Sequence, residues 1–274
     1  GVENSDYKFT VWGGEEQDPP YYGRVFVSLI NSDEGSTSID PDITDIQTAL
    51  TNLQERLTIS ILPEYVGPVS SILRLGMTVT YDEGKTNLNA EQLKSNITTY
   101  LNDTYATSQR AFNKSIDLAE LVTGISSVDS SLNVDPSEIS TTLEIAQKIS
   151  NNGRQVLAKN SILQSSSVSV SSTPTVGNLG DAITIRNSVN PADFNSDTGY
   201  GKINAYREEN NTLVLVKENV GKVNYERGIV IIDPGVLTGE FTLSIRPKKI
   251  SFVSRQELLS NCEFAVTVKK ESIN

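Results

Sequence analysis

The chain has 274 residues, about two domains' worth, each long enough to bury its own core. Its formal charge is −11, with 23 lysines and arginines against 34 acids, and no basic cluster is present to displace counterions from phosphates. Nucleic acid and anionic membrane surfaces are therefore excluded as partners. Histidine is absent altogether, which removes the usual proton shuttle of nucleophilic hydrolases and most zinc chemistry.

No apolar run reaches the ~20 residues needed to span a bilayer. No leader is visible ahead of residue 7, and the opening Gly1 is read as the start of a C-terminal part of a longer protein. Cys262 is alone, so it forms no internal disulfide and reads as a small half-buried hydrophobe near a strand start.

Residues 7–12 and 22–30 read as strands. In the second, Val25, Val27 and Leu29 face one way and Phe26 and Ile30 the other. Gly13-Gly14 reads as a tight turn needing positive φ, and Pro19-Pro20 as a stiff loop that cannot pair regularly. A helix follows at about 43–57, with Ile43, Ile46, Leu50, Leu53 and Leu57 as its apolar stripe. Asp42 is its N-cap, and Pro63 stops any continuation.

Leu73, Leu75, Met77, Val79 and Tyr81 alternate with polar residues in a strand at about 70–82, which Asp82-Glu83-Gly84-Lys85 turns back. The clearest helix start lies at 88–93. Asn89 caps, Gln92 completes a capping box, and Leu88 and Leu93 are spaced as a hydrophobic staple. Ile97, Tyr100 and Leu101 continue its apolar face. A shorter helix runs from Ser115 through Leu118, Leu121 and Val122, with Gly124 as a left-handed stop. Two strands close this half: Val128, Ser130, Leu132 and Val134 alternate, then Ile139, Thr141, Leu143 and Ile145, with Asp135-Pro136-Ser137 between them.

Residues 150–162 read as a linker. Beyond it no strong helix is legible, only strand candidates at 165–171, 182–186, 212–217, 222–226, 229–233, 240–246 and 263–269. The serine run around Val168 and Val170 reads either as a flexible linker or as a polar edge strand. The expected fold is α+β: a mixed sheet with helices on one face over 1–150, with N-terminal hairpin-like strands, followed by a mainly β domain over 151–274.

Site chemistry is sparse. No phosphate loop follows Gly13-Gly14, because no helix start with a Lys-Ser/Thr pair is there. Glu15-Glu16, Asp40, Asp42 and Glu64 could in principle serve a glycosidase, but aromatic platforms are scarce and acid runs are usually solvated faces. Asp33-Glu34 and Asp40, Asp42 and Asp45 lack calcium-hand spacing. The sequons at Asn96, Asn102 and Asn113 are frequent by composition alone. No catalytic residue, metal ligand or cofactor is assigned.

The segment Trp12-Gly13-Gly14-Glu15, then Pro19-Pro20-Tyr21-Tyr22-Gly23-Arg24-Val25-Phe26-Val27-Ser28, resembles part of the large baseplate wedge proteins of T-even-type contractile-tailed bacteriophages, in the broader baseplate J-like family. Leu62-Pro63-Glu64-Tyr65-Val66 and the strand ending Thr80-Tyr81 are similar as well. So are Ala111-Phe112-Asn113-Lys114-Ser115 and the hairpin Gly221-Lys222-Val223-Asn224-Tyr225-Glu226-Arg227-Gly228-Ile229-Val230-Ile231. The resemblance implies a non-enzymatic virion protein of the tail baseplate, assembled in the host cytoplasm. It implies self-association as a homodimer or higher ring, contacts with other baseplate wedge proteins, and a role in linking wedges around the hub. In that family an N-terminal region carries further contacts to other baseplate proteins, and these are not assigned to residues of this chain.

Candidate interface residues are Trp12, Pro19, Pro20, Tyr21 and Tyr22, because Trp and Tyr are enriched among interface anchors. Against this, Trp12 equally reads as closing a local core, with Tyr22 packed on it. The competing function is an extracellular adhesion or glycan- or protein-binding β-rich module. A carboxylate glycosidase is third.

Overall fold

The computed structural model describes residues 7–16, 21–31, 43–56, 62–106, 111–112, 116–149, 155–156, 168–171, 183–188, 190–233, 235–236, 239–247 and 257–271. The fold is α+β, with one small mixed sheet and one large, mostly antiparallel sheet.

The small sheet has strand order β1-β2-β3. Strand β1 (Tyr7–Gly13) pairs antiparallel with β2 (Arg24–Asn31), placing Phe9 opposite Leu29 and Trp12 opposite Phe26. The amphipathic helix α1 (Ile43–Arg56) follows, and its capping position Asp42 lies outside the described residues. Residues 57–61 lie outside the described residues, and Pro63 sits inside β3 (Leu62–Tyr65), opposite Val25 in a parallel pair with β2. Proline is tolerated there because β3 is at the end of the sheet, where a missing N–H costs no ladder bond.

The large sheet is built around β4 (Val69–Tyr81). Its burial alternates as the sequence predicts, with Leu73, Leu75, Met77, Val79 and Tyr81 buried. Each such side chain contributes about 1.5–3 kcal/mol through removal from water. Helix α2 (Ala90–Leu101) starts at the capping box: Asn89 Oδ1 accepts from the Gln92 N–H at 2.9 Å, and the Asn89 N–H donates to Gln92 Oε1 at 3.0 Å. Leu93, Ile97 and Leu101 are buried in the same cluster as the inward residues of β4, and one π-helical turn extends the helix over Asn102–Ala106.

After the short β5 (Ala111–Phe112), helix α3 (Leu118–Val128) begins at Asp117, whose Oδ1 accepts from the Ala119 N–H at 2.7 Å. Gly124 is not its stop. It lies in the helix interior, where a Cβ would run into the Tyr100 phenol of α2, so the glycine is a packing residue and not a turn residue. The following strand is correspondingly shorter than the alternation implied. Val128 still belongs to α3, and only β6 (Leu132–Val134) is extended.

Strands β6 and β7 (Ser140–Ile149) do not pair with each other. Both run antiparallel to β4, at Val79–Tyr81 and Ser71–Gly76 respectively. The 3-10 turn Pro136–Glu138 carries the chain from one to the other along the same edge, tied by Asp135 Oδ1, which accepts from the Ser137 N–H at 2.8 Å.

The expected linker over 150–162 contains a strand, β8 (Gln155–Val156), at the end of the large sheet. Strand β9 (Val168–Ser171) settles the serine run: it is neither linker nor edge, since other strands pair on both of its sides. Val168 is buried in the core cluster, which anchors this serine-rich segment in the sheet. Strand β10 (Ile183–Asn187) follows, then the two-residue β11 (Phe194–Asn195).

Strand β12 (Tyr200–Glu209) has no counterpart among the sequence-level candidates. Its inward residues include Gly201, Asn204 and Ala205, which carry little hydrophobic signal. Gly201 is obligatory, because a Cβ there would meet the Tyr225 ring at 2.9 Å. The two candidates at 212–217 and 222–226 are one strand, β13 (Thr212–Asn224), interrupted by a bulge. Strands β14 (Ile229–Ile232), β15 (Gly239–Ile245) and β16 (Glu257–Lys270) complete the fold.

The large sheet runs β5-β16-β4-β7-β15-β9-β10-β12-β13-β14-β8, with β6 on β4 and β11 on β12. Three of its pairings cross residue 150, one of them β16 with the short β5. Strand β15 pairs antiparallel with β7, and β16 pairs parallel with β4 over thirteen residues of each. One hydrophobic cluster accordingly joins Leu73 and Leu121 to Val223 and Ile232. Strand β14 is buried at all four positions, so both of its faces are covered.

Candidate interaction surfaces

Nine large hydrophobic side chains are exposed among the described residues, and they fall in two places. The first is the small sheet, with Phe9, Val11, Tyr21, Tyr22 and Leu62. The second is the run Leu213, Val214, Leu215 and Val216 of β13.

In the small sheet, Trp12 is only 5% exposed and stacks on Phe26 with centroids 5.7 Å apart. It closes the local core. Tyr21 sits edge-on to Phe26 at 6.4 Å, with the Arg24 guanidinium 5.9 Å above its ring. Arg24 also pairs with Glu64. Tyr22 does not pack on Trp12: it is 80% exposed. Pro19 and Pro20 lie outside the described residues.

The loop is closed by the Tyr21 N–H, which donates to the Gly14 carbonyl at 2.8 Å. Neither Gly13 nor Gly14 has positive φ. Gly14 is required because the Tyr21 and Arg24 carbonyls crowd the space a Cβ would fill, and the left-handed glycine here is Gly23, at φ 76°. The sheet's outward row is apolar, with Phe9 at 66% exposure opposite Leu29, and Val11 opposite Val27.

The second surface is a ribbon. Asn210 and Asn211, at φ 51° and 61°, form the two-residue turn joining β12 to β13. From Thr212 to Asn219 every residue of β13 is exposed, so alternate side chains on both faces meet solvent. Its bulge is fixed by Asn219, at φ 55°, whose N–H donates to the buried Asn204 Oδ1 at 2.9 Å. A bulge bends and twists its strand, which sets the ribbon off from the sheet body.

Beside the ribbon lies a groove of about 520 Å³ on the outward face of the large sheet. Arg186, Arg246, Ser169, Ser244, Tyr206 and Leu213 line it. Strand register aligns Arg186, Ser169 and Ser244 in one row. Glu144 continues that row opposite Ser244, but its carboxylate is occupied by Arg74 Nε at 3.0 Å, and Arg74 also engages Glu263.

Elsewhere polar groups serve the frame. Lys202 Nζ donates to Asp193 Oδ1 at 2.8 Å and the Ser188 hydroxyl to Oδ2 at 2.6 Å; the ammonium and the hydroxyl hold the Asp193 carboxyl below the usual carboxylate range. Cys262 is buried at 2% exposure inside β16, more enclosed than a half-buried residue at a strand start. Among the described residues no group of three or more Asp, Glu and Cys is placed to hold a metal.

Sequence reasoning singled out Tyr21 and Tyr22, which are exposed, and missed the ribbon and the groove. The ribbon had a signal in four consecutive apolar residues behind Asn-Asn. The groove had none, since its lining comes from strands far apart in the chain. No protein-family model matches this chain, and no curated protein matches it.

Proposed function

We propose that this chain is a structural subunit of a contractile-tail baseplate that works by docking onto copies of itself and onto neighbouring wedge proteins. The observation that carries the reading is the gathering, among the described residues, of all nine exposed large hydrophobics on two β surfaces. Contiguous exposed apolar area marks protein interfaces more often than it marks nothing. An exposed strand with apolar residues on both faces is costly to leave in water, and its unpaired edge is a template for another chain. The sequence resemblance to baseplate wedge proteins supplies the setting.

Sedimentation equilibrium of the purified chain tests the proposal. The wild type sediments as a dimer or larger species, and Leu213→Ser with Leu215→Ser shifts it toward monomer without changing its circular dichroism. A wild-type chain that stays monomeric well above micromolar concentration overturns the assembly reading.

A further inference from the structure

Of the arginines whose side chains are described, Arg24, Arg74 and Arg207 are in ion pairs. Arg186 and Arg246 are exposed and share the groove, and no carboxylate among the described residues meets either of them. In a chain of net charge −11 this is an island of uncompensated positive charge. The nearest acid in the row, Glu144, is already committed to Arg74. We propose that this groove docks an acidic peptide segment of a partner protein, with its carboxylates on Arg186 and Arg246 and an apolar side chain against Leu213.

Three features select a peptide. Arg246 lies two residues beyond Ser244, and Arg186 lies two strands across from it. Sheet spacings then separate the two backbone positions by about 12 Å. Two forks so far apart suit two carboxylates three or four residues apart on an extended chain, which advances about 3.3–3.6 Å per residue. Arginine is also the cation that binds carboxylates bidentately at interfaces, because its planar fork matches their geometry. Finally, Leu213 belongs both to the groove and to the exposed ribbon, so the charged recess continues into an apolar ledge. Ser169 and Ser244 place hydroxyl donors between the arginines. The proposal concerns a partner chemistry beyond self-association and stands or falls separately from it.

Fluorescence anisotropy on the full chain tests it, with a labelled Glu-Leu-Glu-Glu-Leu-Glu peptide as probe and its Gln-for-Glu counterpart as control. The acidic peptide binds, and its affinity falls as salt rises. Arg186→Gln and Arg246→Gln each weaken it roughly tenfold, the scale of a charged hydrogen-bonded pair. Arg227→Gln, the same charge change on the β13–β14 turn, leaves it unchanged. Both groove arginines are exposed, and circular dichroism checks that the variants fold. Failure of the acidic peptide to bind overturns the proposal, as does equal binding of the Gln peptide or equal binding by the Arg186→Gln/Arg246→Gln chain. Displacement of the peptide by equimolar glucuronate also overturns it, since the site would then read a lone sugar acid. Binding by a chain that sediments as monomer leaves this proposal standing while the assembly reading falls.

Discussion

Replacing Asn187 with alanine tests the polar link in the second half of the large sheet. Asn187 is almost fully buried at the end of β10. Its Oδ1 accepts from the Val168 N–H at 3.1 Å, and its Nδ2 donates to the Tyr225 hydroxyl at 3.1 Å. It thus joins β9 to the turn after β13. Tyr225 is buried too, and burial pushes its phenol up from the ordinary tyrosine value. The alanine variant loses two hydrogen bonds at about 1 kcal/mol each and strands a backbone donor and a hydroxyl away from water at about 1–3 kcal/mol each. Those terms overlap, and the expected loss is about 3 kcal/mol. For a chain of this length that lowers the thermal midpoint by about 6–12 °C. Tyr225→Phe alone costs less, and the Asn187→Ala/Tyr225→Phe chain falls short of additivity by about 1 kcal/mol, because the second substitution removes the hydroxyl the first one orphaned. Urea denaturation of the four proteins measures the cycle. An Asn187→Ala chain within about 0.5 kcal/mol of wild type refutes the assignment of these bonds as stabilising.

Two further outcomes follow from the helix start and from the carboxylates. Asn89→Ala breaks the capping box of α2 and costs about 1 kcal/mol, whereas Asn89→Gly costs a few tenths; equal losses in urea titrations would show that the cap oxygen contributes nothing. Asp82, Asp129, Asp135 and Asp193 are held below the ordinary carboxylate range, chiefly by hydrogen bonds from Lys85, Ser131, Ser137 and Lys202 respectively. Folded values below unfolded ones mean that their stabilisation is complete above about pH 4 and is lost as pH falls through the folded values. The urea midpoint therefore drops on acidification below that point, and Asp129→Asn flattens the drop; a midpoint level down to pH 2 contradicts this.

Local chemistry was legible where a residue's neighbours in sequence are also its neighbours in space. The capping box at Asn89 and Gln92, the alternation of β4 and the turn at Asp82 are of that kind. The errors share one physical source, which is tertiary contact. Gly124 imitates a helix stop until the Tyr100 ring fills its missing side chain. Pro63 turns out to lie in a strand because its place at the sheet's end tolerates a missing N–H. Strand β12 is quiet because three of its four buried residues, Gly201 against the Tyr225 ring, Asn204 and Ala205, carry little hydrophobic signal and only Ile203 is a large apolar one. The groove is further still from the sequence, since Ser169, Arg186 and Ser244 meet only through strand register.

The parallel partnership of β4 and β16 bears on how the molecule is made. The segment that fills the slot between β5 and β4 is β16, the last of the described strands and far from β4 in sequence. During synthesis β4 must therefore wait, with a thirteen-residue flank open, until residues 257–270 have been made. Such late, distant closure slows folding and exposes intermediates to wrong partners. A chain cut short before Glu257 would carry a long, sticky margin that captures other unfinished copies.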